Sequence, residues 1–156
     1  MPIFVSKAER DEILSYYRER FGIPGKVFTG FSFLKEGKMI WVVSDSKGLE
    51  EILDRLKIMS AGVPLLRLLD RWKPTTVGLQ VFGGLATKNV VSLDDETLDL
   101  FFKDGIVRKQ FSVEFGYVIV KWKNGVLGCG LYGKEGLKSQ IPVQGWQQVK
   151  ARNPDP

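Results

Sequence analysis

The sequence predicts an α+β fold in which a mixed N-terminal part is followed by a small β-barrel. Segments with helical spacing alternate with strand-like segments over roughly the first hundred residues. The last third is rich in β-branched and aromatic residues, and it carries a strong hairpin signal at Asn124-Gly125. With 156 residues, of which 44% are apolar and 26% charged, the chain is long enough to bury a core.

Two amphipathic helices are predicted in the N-terminal third. Residues 7–21 place their apolar side chains on one helical face, with Ser6 as the N-cap and Gly22 as the stop. Ser46 is suited to cap a second helix that ends near Met59, because leucine and isoleucine recur there at helical spacing.

The strands of the N-terminal part are predicted around these helices. Residues 27–34 and 39–44 are apolar and aromatic on either side of a Glu-Gly-Lys turn, which predicts an antiparallel hairpin. Residues 62–69 form another apolar run. Because Pro64 cannot donate a backbone hydrogen bond, an edge or first strand is favoured over a central one.

The middle of the chain is predicted to hold a short helix, a strand and a longer helix. Thr75 or Thr76 caps the short helix, and residues 86–93 are strand-like. Residues 94–103 begin with three carboxylates and end with a lysine, as the helix dipole favours. The side chains expected to face inward from the short helix are Val77, Leu79, Val81 and Phe82.

The C-terminal part is expected to be a barrel built around the hairpin at Asn124-Gly125, whose two central residues need positive φ. We place the domain boundary where the mixed pattern gives way to strands. The predicted organisation is residues 1–86 as a mixed subdomain, 87–152 as the barrel and 153–156 as a disordered tail.

The composition argues against an enzyme. The chain has one cysteine, Cys129, and no histidine, so it offers no zinc cluster, no Cys/His nucleophile pair and no ordinary general base near neutral pH. It has no Walker-type phosphate loop and no dinucleotide fingerprint. We expect no catalytic residues, no metal and no cofactor. A small buried thiol is the favoured interpretation of Cys129, and catalysis through Cys129 or Tyr132 is a distant alternative.

The charge is concentrated at the C-terminal end. From residue 103 onward there are nine Lys and Arg against four Asp and Glu, whereas the earlier residues carry fourteen of each, so the whole net charge of +5 lies there. Lys121 and Lys123 share one face of a strand, with Lys134 and Lys138 following the hairpin. A closed barrel would gather these cations, with the preceding Arg108 and Lys109, around one groove for a nucleic acid. An ordinary lysine-dotted surface is the alternative.

Two further segments are candidates for RNA contacts. Arg71, Trp72 and Lys73 place an aromatic ring between two cations before a proline, which suits stacking on an exposed base. A buried tryptophan is the alternative there. Lys88 and Asn89 supply hydrogen-bond donors at the start of a strand, although the asparagine is equally suited to satisfying local backbone groups.

Several motifs together resemble the PUA-like RNA-binding domain of the Sun (Fmu) family of RNA cytosine-5 methyltransferases and ribosome-biogenesis proteins. They are Phe21-Gly-Ile-Pro, Val27-Phe-Thr-Gly-Phe, Lys73-Pro-Thr-Thr with Gln80, Ala86-Thr-Lys-Asn-Val-Val, and the block from Gly116-Tyr-Val-Ile-Val to Lys138-Ser-Gln-Ile-Pro. The resemblance implies a PUA-like barrel that binds structured rRNA or tRNA. The positions to which it carries RNA contacts are Lys73, Lys88, Asn89, Lys121, Lys123, Lys134 and Lys138.

The methyltransferases of that family join this domain to a catalytic domain with a glycine-rich S-adenosylmethionine loop and a Pro-Cys motif, and both are missing here. We therefore expect a cytoplasmic, non-catalytic RNA-binding module standing alone, which acts in rRNA or tRNA maturation and ribosome biogenesis. A separate RNA-modifying enzyme or ribosomal protein is a further expected partner, and a membrane is not. The alternative is a protein-interaction module that docks such a partner through an exposed hairpin edge and a surface of Phe31, Phe33 and Trp41.

Overall fold

The computed structural model describes residues 2–45 and 62–142, and it confirms an α+β fold with a partial barrel. The described residues contain three α-helices and two five-stranded sheets. The helices are α1 (Lys7–Phe21), α2 (Thr76–Phe82) and α3 (Asp95–Asp104). The strands are β1 (Ile3–Phe4), β2 (Phe31–Glu36), β3 (Met39–Ser44), β4 (Gly62–Arg67), β5 (Lys73–Pro74), β6 (Val90–Leu93), β7 (Ile106–Val107), β8 (Gly116–Trp122), β9 (Gly125–Gly133) and β10 (Gly136–Ser139).

The first sheet is antiparallel and follows chain order from β1 to β5. The predicted β2–β3 hairpin is confirmed, although β2 begins only at Phe31 because Gly25–Phe28 forms a 3-10 turn. The expectation of an edge position for β4 is wrong at Leu66 and Arg67, where β4 lies between β3 and β5, but the pairing with β5 does not extend to Pro64. Pro64 is tolerated there since it pairs with Trp41 at a register shift, where the regular ladder is already interrupted.

The second sheet has the order β6-β8-β9-β10-β7 and curls into a half-barrel. It is antiparallel except for the parallel pair of β6 and β8. The edge strands β6 and β7 are not paired with each other, so the barrel is open rather than closed. Helix α3 contacts both of these edge strands and so spans the gap.

The hairpin of β8 and β9 is confirmed, but its turn lies one residue earlier than predicted. Trp122 pairs with Gly125, which makes Lys123 and Asn124 the two turn residues. Lys123 takes a positive φ of 54°, the conformation that the sequence predicts for Asn124-Gly125. The register shift between Val120 and Lys121 accompanies this displacement, and spacing alone does not reveal such a bulge.

The helix caps predicted within the described residues are confirmed. The Ser6 hydroxyl accepts from the Glu9 amide, Gly22 ends α1 in a left-handed conformation, and Thr75 rather than Thr76 caps α2. Asp94 and Thr97 form a reciprocal capping box on α3.

The predicted inward face of α2 is only half right. Leu79 and Phe82 are buried, whereas Val77 and Val81 are 44% and 55% exposed. In a helix of seven residues the side chains at positions 77 and 81 share one face, and that face is turned to solvent.

The two sheets share one apolar core. Helix α2 contacts both β4 and β9, and Leu79 packs in the same buried cluster as Phe21 of α1 and Ile119 of β8. Val118 and Val120, on the other face of β8, belong to a second cluster with Phe101 and Tyr132. The strands of the first sheet all precede residue 75 and those of the second all follow residue 89. A division into domains at residue 86 stays a prediction.

The predicted helix from Ser46 to Met59 and the predicted tail at residues 153–156 lie outside the described residues. Within the described ranges, every helix is too short or too polar to traverse a bilayer.

Candidate nucleic-acid interface

A cleft of about 560 Å³ lies between the segment that follows β7 and the turn that joins β9 to β10. We call it the basic cleft. Its wall carries the cations Arg108, Lys109 and Lys134 together with the aromatic rings of Phe111, Phe115 and Tyr132. The cleft exists because the short β7 pairs with β10, which brings the chain after Val107 alongside the β9–β10 turn.

The cations of the basic cleft are exposed, and few carboxylates lie close enough to neutralise them. Within residues 2–45 and 62–142, the side chains of Arg108 and Lys134 form no salt bridge or hydrogen bond. Lys109 lies near Asp94; hydrogen bonds from Thr97 lower the pKa of that carboxyl, and the Lys109 ammonium adds to the effect. Among the described residues of the cleft wall, Glu135 is the only one with a carboxylate, and it forms a salt bridge of 3.2 Å with Lys138. Because exposed ammonium and guanidinium groups attract phosphate, the cleft suits a polyanion.

An exposed aromatic ring stands in this cationic cleft. Phe115 is 61% exposed, and its ring meets the Tyr132 ring edge-on with centroids 5.5 Å apart. Tyr132 is buried, and its hydroxyl oxygen accepts a hydrogen bond of 2.9 Å from the Phe111 amide. Tyr132 therefore contacts both neighbouring rings, while most of the Phe115 ring stays exposed. An aromatic face beside cations is the arrangement on which unpaired bases stack.

Arg20, at the end of α1, anchors the segment that carries Phe115. Its Nε and Nη2 donate to the Tyr117 carbonyl at 2.9 and 2.7 Å, and Nη2 also donates to the Glu114 carbonyl. Its Nη1 forms a salt bridge of 3.2 Å with the Glu114 carboxylate. The guanidinium is thus bonded to the chain on both sides of Phe115, which holds the backbone of that residue in place.

Asn89 belongs to the same network, and this corrects the sequence-based expectation for it. Its Nδ2 donates to the Arg20 carbonyl at 2.7 Å and to the Glu114 carboxylate at 2.9 Å, while its Oδ1 accepts from the Glu114 amide. Both amide protons are used inside the protein. The alternative of a local structural role is therefore favoured over direct RNA contact for Asn89. The neighbouring Lys88 is exposed, and its backbone amide donates to the Phe21 carbonyl.

The expectation that the late lysines converge on a single groove is wrong. Lys134 is in the basic cleft and Lys138 borders it through Glu135, but Lys121 and Lys123 are at the opposite end of β9. Nine residues of β9 separate the two turns, which corresponds to roughly 25 Å along an extended strand. The curl of an open sheet does not bring the two ends of one strand together.

Lys121 and Lys123 also do not form the wet cationic face that their spacing predicts. The Lys121 ammonium donates to the Gly84 carbonyl at 3.4 Å, and the Lys123 ammonium lies 4.5 Å from the centre of the Trp122 ring. Lys123 is in the turn rather than in the strand. An RNA-contact role for the two lysines stays a prediction that this arrangement does not support.

The segment Arg71-Trp72-Lys73 is divided between surface and core. Trp72 is half-buried, and its ring centre lies 5.7 Å from that of Tyr16. The structure therefore agrees better with the alternative of a buried tryptophan than with a ring that is free to stack on a base. The Lys73 ammonium lies 5.9 Å from the centre of the Tyr117 ring, and Arg71 is exposed in a smaller cleft beside Tyr117.

Phe111 and Phe115 were missed by the sequence-based prediction of site residues. The signal for them is present, since two phenylalanines stand in a short, mostly polar segment that begins with Arg108 and Lys109. Aromatic residues interleaved with cations outside any regular periodicity are typical of single-strand nucleic-acid surfaces.

The surface expected for protein docking is not present in the predicted form. Phe33 is 2% exposed, with the Arg10 guanidinium 4.5 Å from the centre of its ring, and Phe31 and Trp41 are half-buried. Both strands of the β2–β3 hairpin have a neighbouring strand on either side, although β1 pairs with β2 only at Leu34 and Lys35.

Cys129 is unsuited to nucleophilic chemistry. The thiol is fully buried, and burial raises its pKa to about 12. Among the described residues, no group of three or more acidic or cysteine side chains is placed to hold a metal ion.

The N-terminal part of the chain matches a known protein family. Residues 4–53 match the family described as "Family of unknown function (DUF7122)". This range covers α1 and the β2–β3 hairpin and does not reach the basic cleft. No curated protein matches the chain.

Proposed function

We propose that this protein binds RNA through the basic cleft and acts in rRNA or tRNA maturation in the cytoplasm, without catalysis of its own. The observation that carries the proposal is the exposed Phe115 ring beside Arg108, Lys109 and Lys134. The resemblance of the late motifs to the PUA-like domain of the Sun family also supports it. A separate RNA-modifying enzyme would supply the chemistry.

The physical basis is phosphate neutralisation combined with stacking. Three cations in contact with phosphates would release counterions, so the logarithm of the association constant should fall with the logarithm of salt concentration, with a slope of about −2 for a single strand. A base stacked on Phe115 would add about 1–3 kcal/mol and would depend little on salt.

The proposal is tested by comparing three double variants in a fluorescence-anisotropy titration with rRNA fragments. Arg108→Ala with Lys134→Ala removes two cations of the basic cleft, and Lys121→Ala with Lys123→Ala removes two at the far end of β9. Lys7→Ala with Lys26→Ala is the matched control, because both lysines are exposed, form no salt bridge with the described residues and lie outside the cleft.

We expect the cleft variant to weaken binding at least tenfold and to flatten the salt dependence, since the slope becomes shallower by about 0.7 for every phosphate that is no longer neutralised. The control and the Lys121/Lys123 variant should bind like the wild type. Equal weakening by all three variants would indicate a diffuse charge effect and contradict the proposal. Selective weakening by the Lys121/Lys123 variant would contradict the proposed cleft and indicate that RNA binds at the other end of the sheet.

A further inference from the structure

A second cleft of about 360 Å³ lies close to the basic cleft, on the side of the first sheet. It is lined by Lys38, Leu68, Leu69, Asp70, Arg71 and Tyr117. Lys38 and Arg71 are both exposed, and neither forms a salt bridge within the described residues. Of the wall residues that the structure describes, only Asp70 is acidic, so cations predominate. We call this the loop cleft.

Both clefts are lined by residues near the N-terminal end of β8. Tyr117 lines the loop cleft, and Phe115, two residues earlier, lines the basic cleft. Gly116 between them pairs with Tyr132, which is itself in the wall of the basic cleft. Two residues of extended chain span roughly 7 Å. Phe115 and Tyr117 therefore connect the two groups of cations along the chain.

The two clefts face different sides of the second sheet. Tyr117 packs against the core shared with the first sheet, whereas Tyr132 belongs to the core under α3. A ligand that reaches both clefts must bend over the end of the sheet at Phe115. A flexible single strand can follow such a path, and a stiff duplex cannot follow it or present an unpaired base to Phe115.

We infer that one unpaired stretch of RNA occupies both clefts, passing over Phe115 from Arg108 and Lys134 at one end to Arg71 and Lys38 at the other. This inference rests on the proposed function and adds the strandedness and the length of the RNA. Small barrels that bind single strands cover about 4–16 nucleotides each, and a path through two clefts belongs at the longer end of that range.

The test uses single-stranded RNA oligonucleotides of about 4 and about 12 nucleotides and a duplex of about 12 base pairs, chosen to fall below and above a two-cleft site size. Binding is measured by anisotropy to the wild type, to Lys38→Ala with Arg71→Ala, to Arg108→Ala with Lys134→Ala, and to the Lys7/Lys26 control. Circular dichroism melting of each variant checks that the fold is intact.

We expect the Lys38/Arg71 variant to lose about five- to tenfold in affinity for the long strand and none for the short one, because a short strand needs only the basic cleft. The Arg108/Lys134 variant should weaken both strands, and the duplex should bind more weakly than the long strand. Unchanged long-strand binding by the Lys38/Arg71 variant would contradict the inference that RNA occupies both clefts. Duplex binding as tight as that of the long strand would contradict it too. Either result leaves the proposed function standing. Failure of the wild type to bind any of the three RNAs would overturn both.

Discussion

Asn89 and Glu114 exchange two hydrogen bonds across 25 positions of the chain. The Glu114 amide donates to the Asn89 Oδ1 and the Asn89 Nδ2 donates to the Glu114 carboxylate, both at 2.9 Å. Asn89 does this from a left-handed backbone conformation with φ of 52°, which asparagine tolerates better than most residues. The pair ties the start of β6 to the segment that carries Phe115.

Replacing Asn89 should therefore loosen the basic cleft without removing any charge from it. We expect Asn89→Ala to lower the free energy of unfolding by about 2–3 kcal/mol, because it removes three side-chain hydrogen bonds and leaves alanine at positive φ. Asn89→Gly removes the same bonds but relieves the backbone, so it should be about 1 kcal/mol more stable than the alanine variant. Chemical denaturation measures both, and equal stability of the two variants would contradict the role assigned to backbone conformation.

Phe115 is expected to contribute to RNA affinity and little to stability. Its ring is mostly exposed, so Phe115→Ala should change the free energy of unfolding by less than about 1 kcal/mol while weakening RNA binding by about 1–3 kcal/mol. Phe115→Trp should retain binding because it keeps a stacking face. The measurements are denaturant unfolding and anisotropy on the same preparations. If the alanine variant binds RNA normally, stacking on Phe115 is excluded.

The buried Cys129 thiol predicts a loss of stability at alkaline pH. Burial raises its pKa from an ordinary value of 9.0 to about 12, so between these two pH values the unfolded chain loses the proton while the folded protein keeps it. The unfolded state then binds fewer protons, and the free energy of unfolding falls as pH rises through this window. Desolvation also raises the pKa of Tyr16 and of Tyr17, which extends the loss to higher pH.

Denaturant unfolding of the wild type and of Cys129→Ala at pH 8, 9 and 10 separates the contributions. The wild type should lose more stability than the alanine variant as pH rises, because only the wild type has the thiol. Parallel pH curves for the two proteins would show that Cys129 does not carry this dependence.

In the native protein at pH 8, the thiol should also react with an alkylating reagent only as fast as the protein opens.

Local order was predictable from the sequence wherever a short-range signal exists. Ser6, Thr75 and Gly22 mark helix ends because capping involves residues only three or four positions apart. The β8–β9 hairpin was predictable for the same reason, but its turn was displaced by one residue because the bulge depends on packing against the neighbouring strands. The concentration of positive charge after residue 103, and with it the expectation of an anionic ligand, follows from composition alone.

Only the tertiary structure decided which of those charges act together. Alternation along a strand says which side chains share a face, but it does not say which end of the sheet meets another segment. Lys121 and Lys134 are separated because the chain runs the length of β9 between them, while Arg108 and Lys134 come together because β7 pairs with β10. The internal role of Asn89 likewise depends on a partner at position 114, a contact that no local pattern encodes.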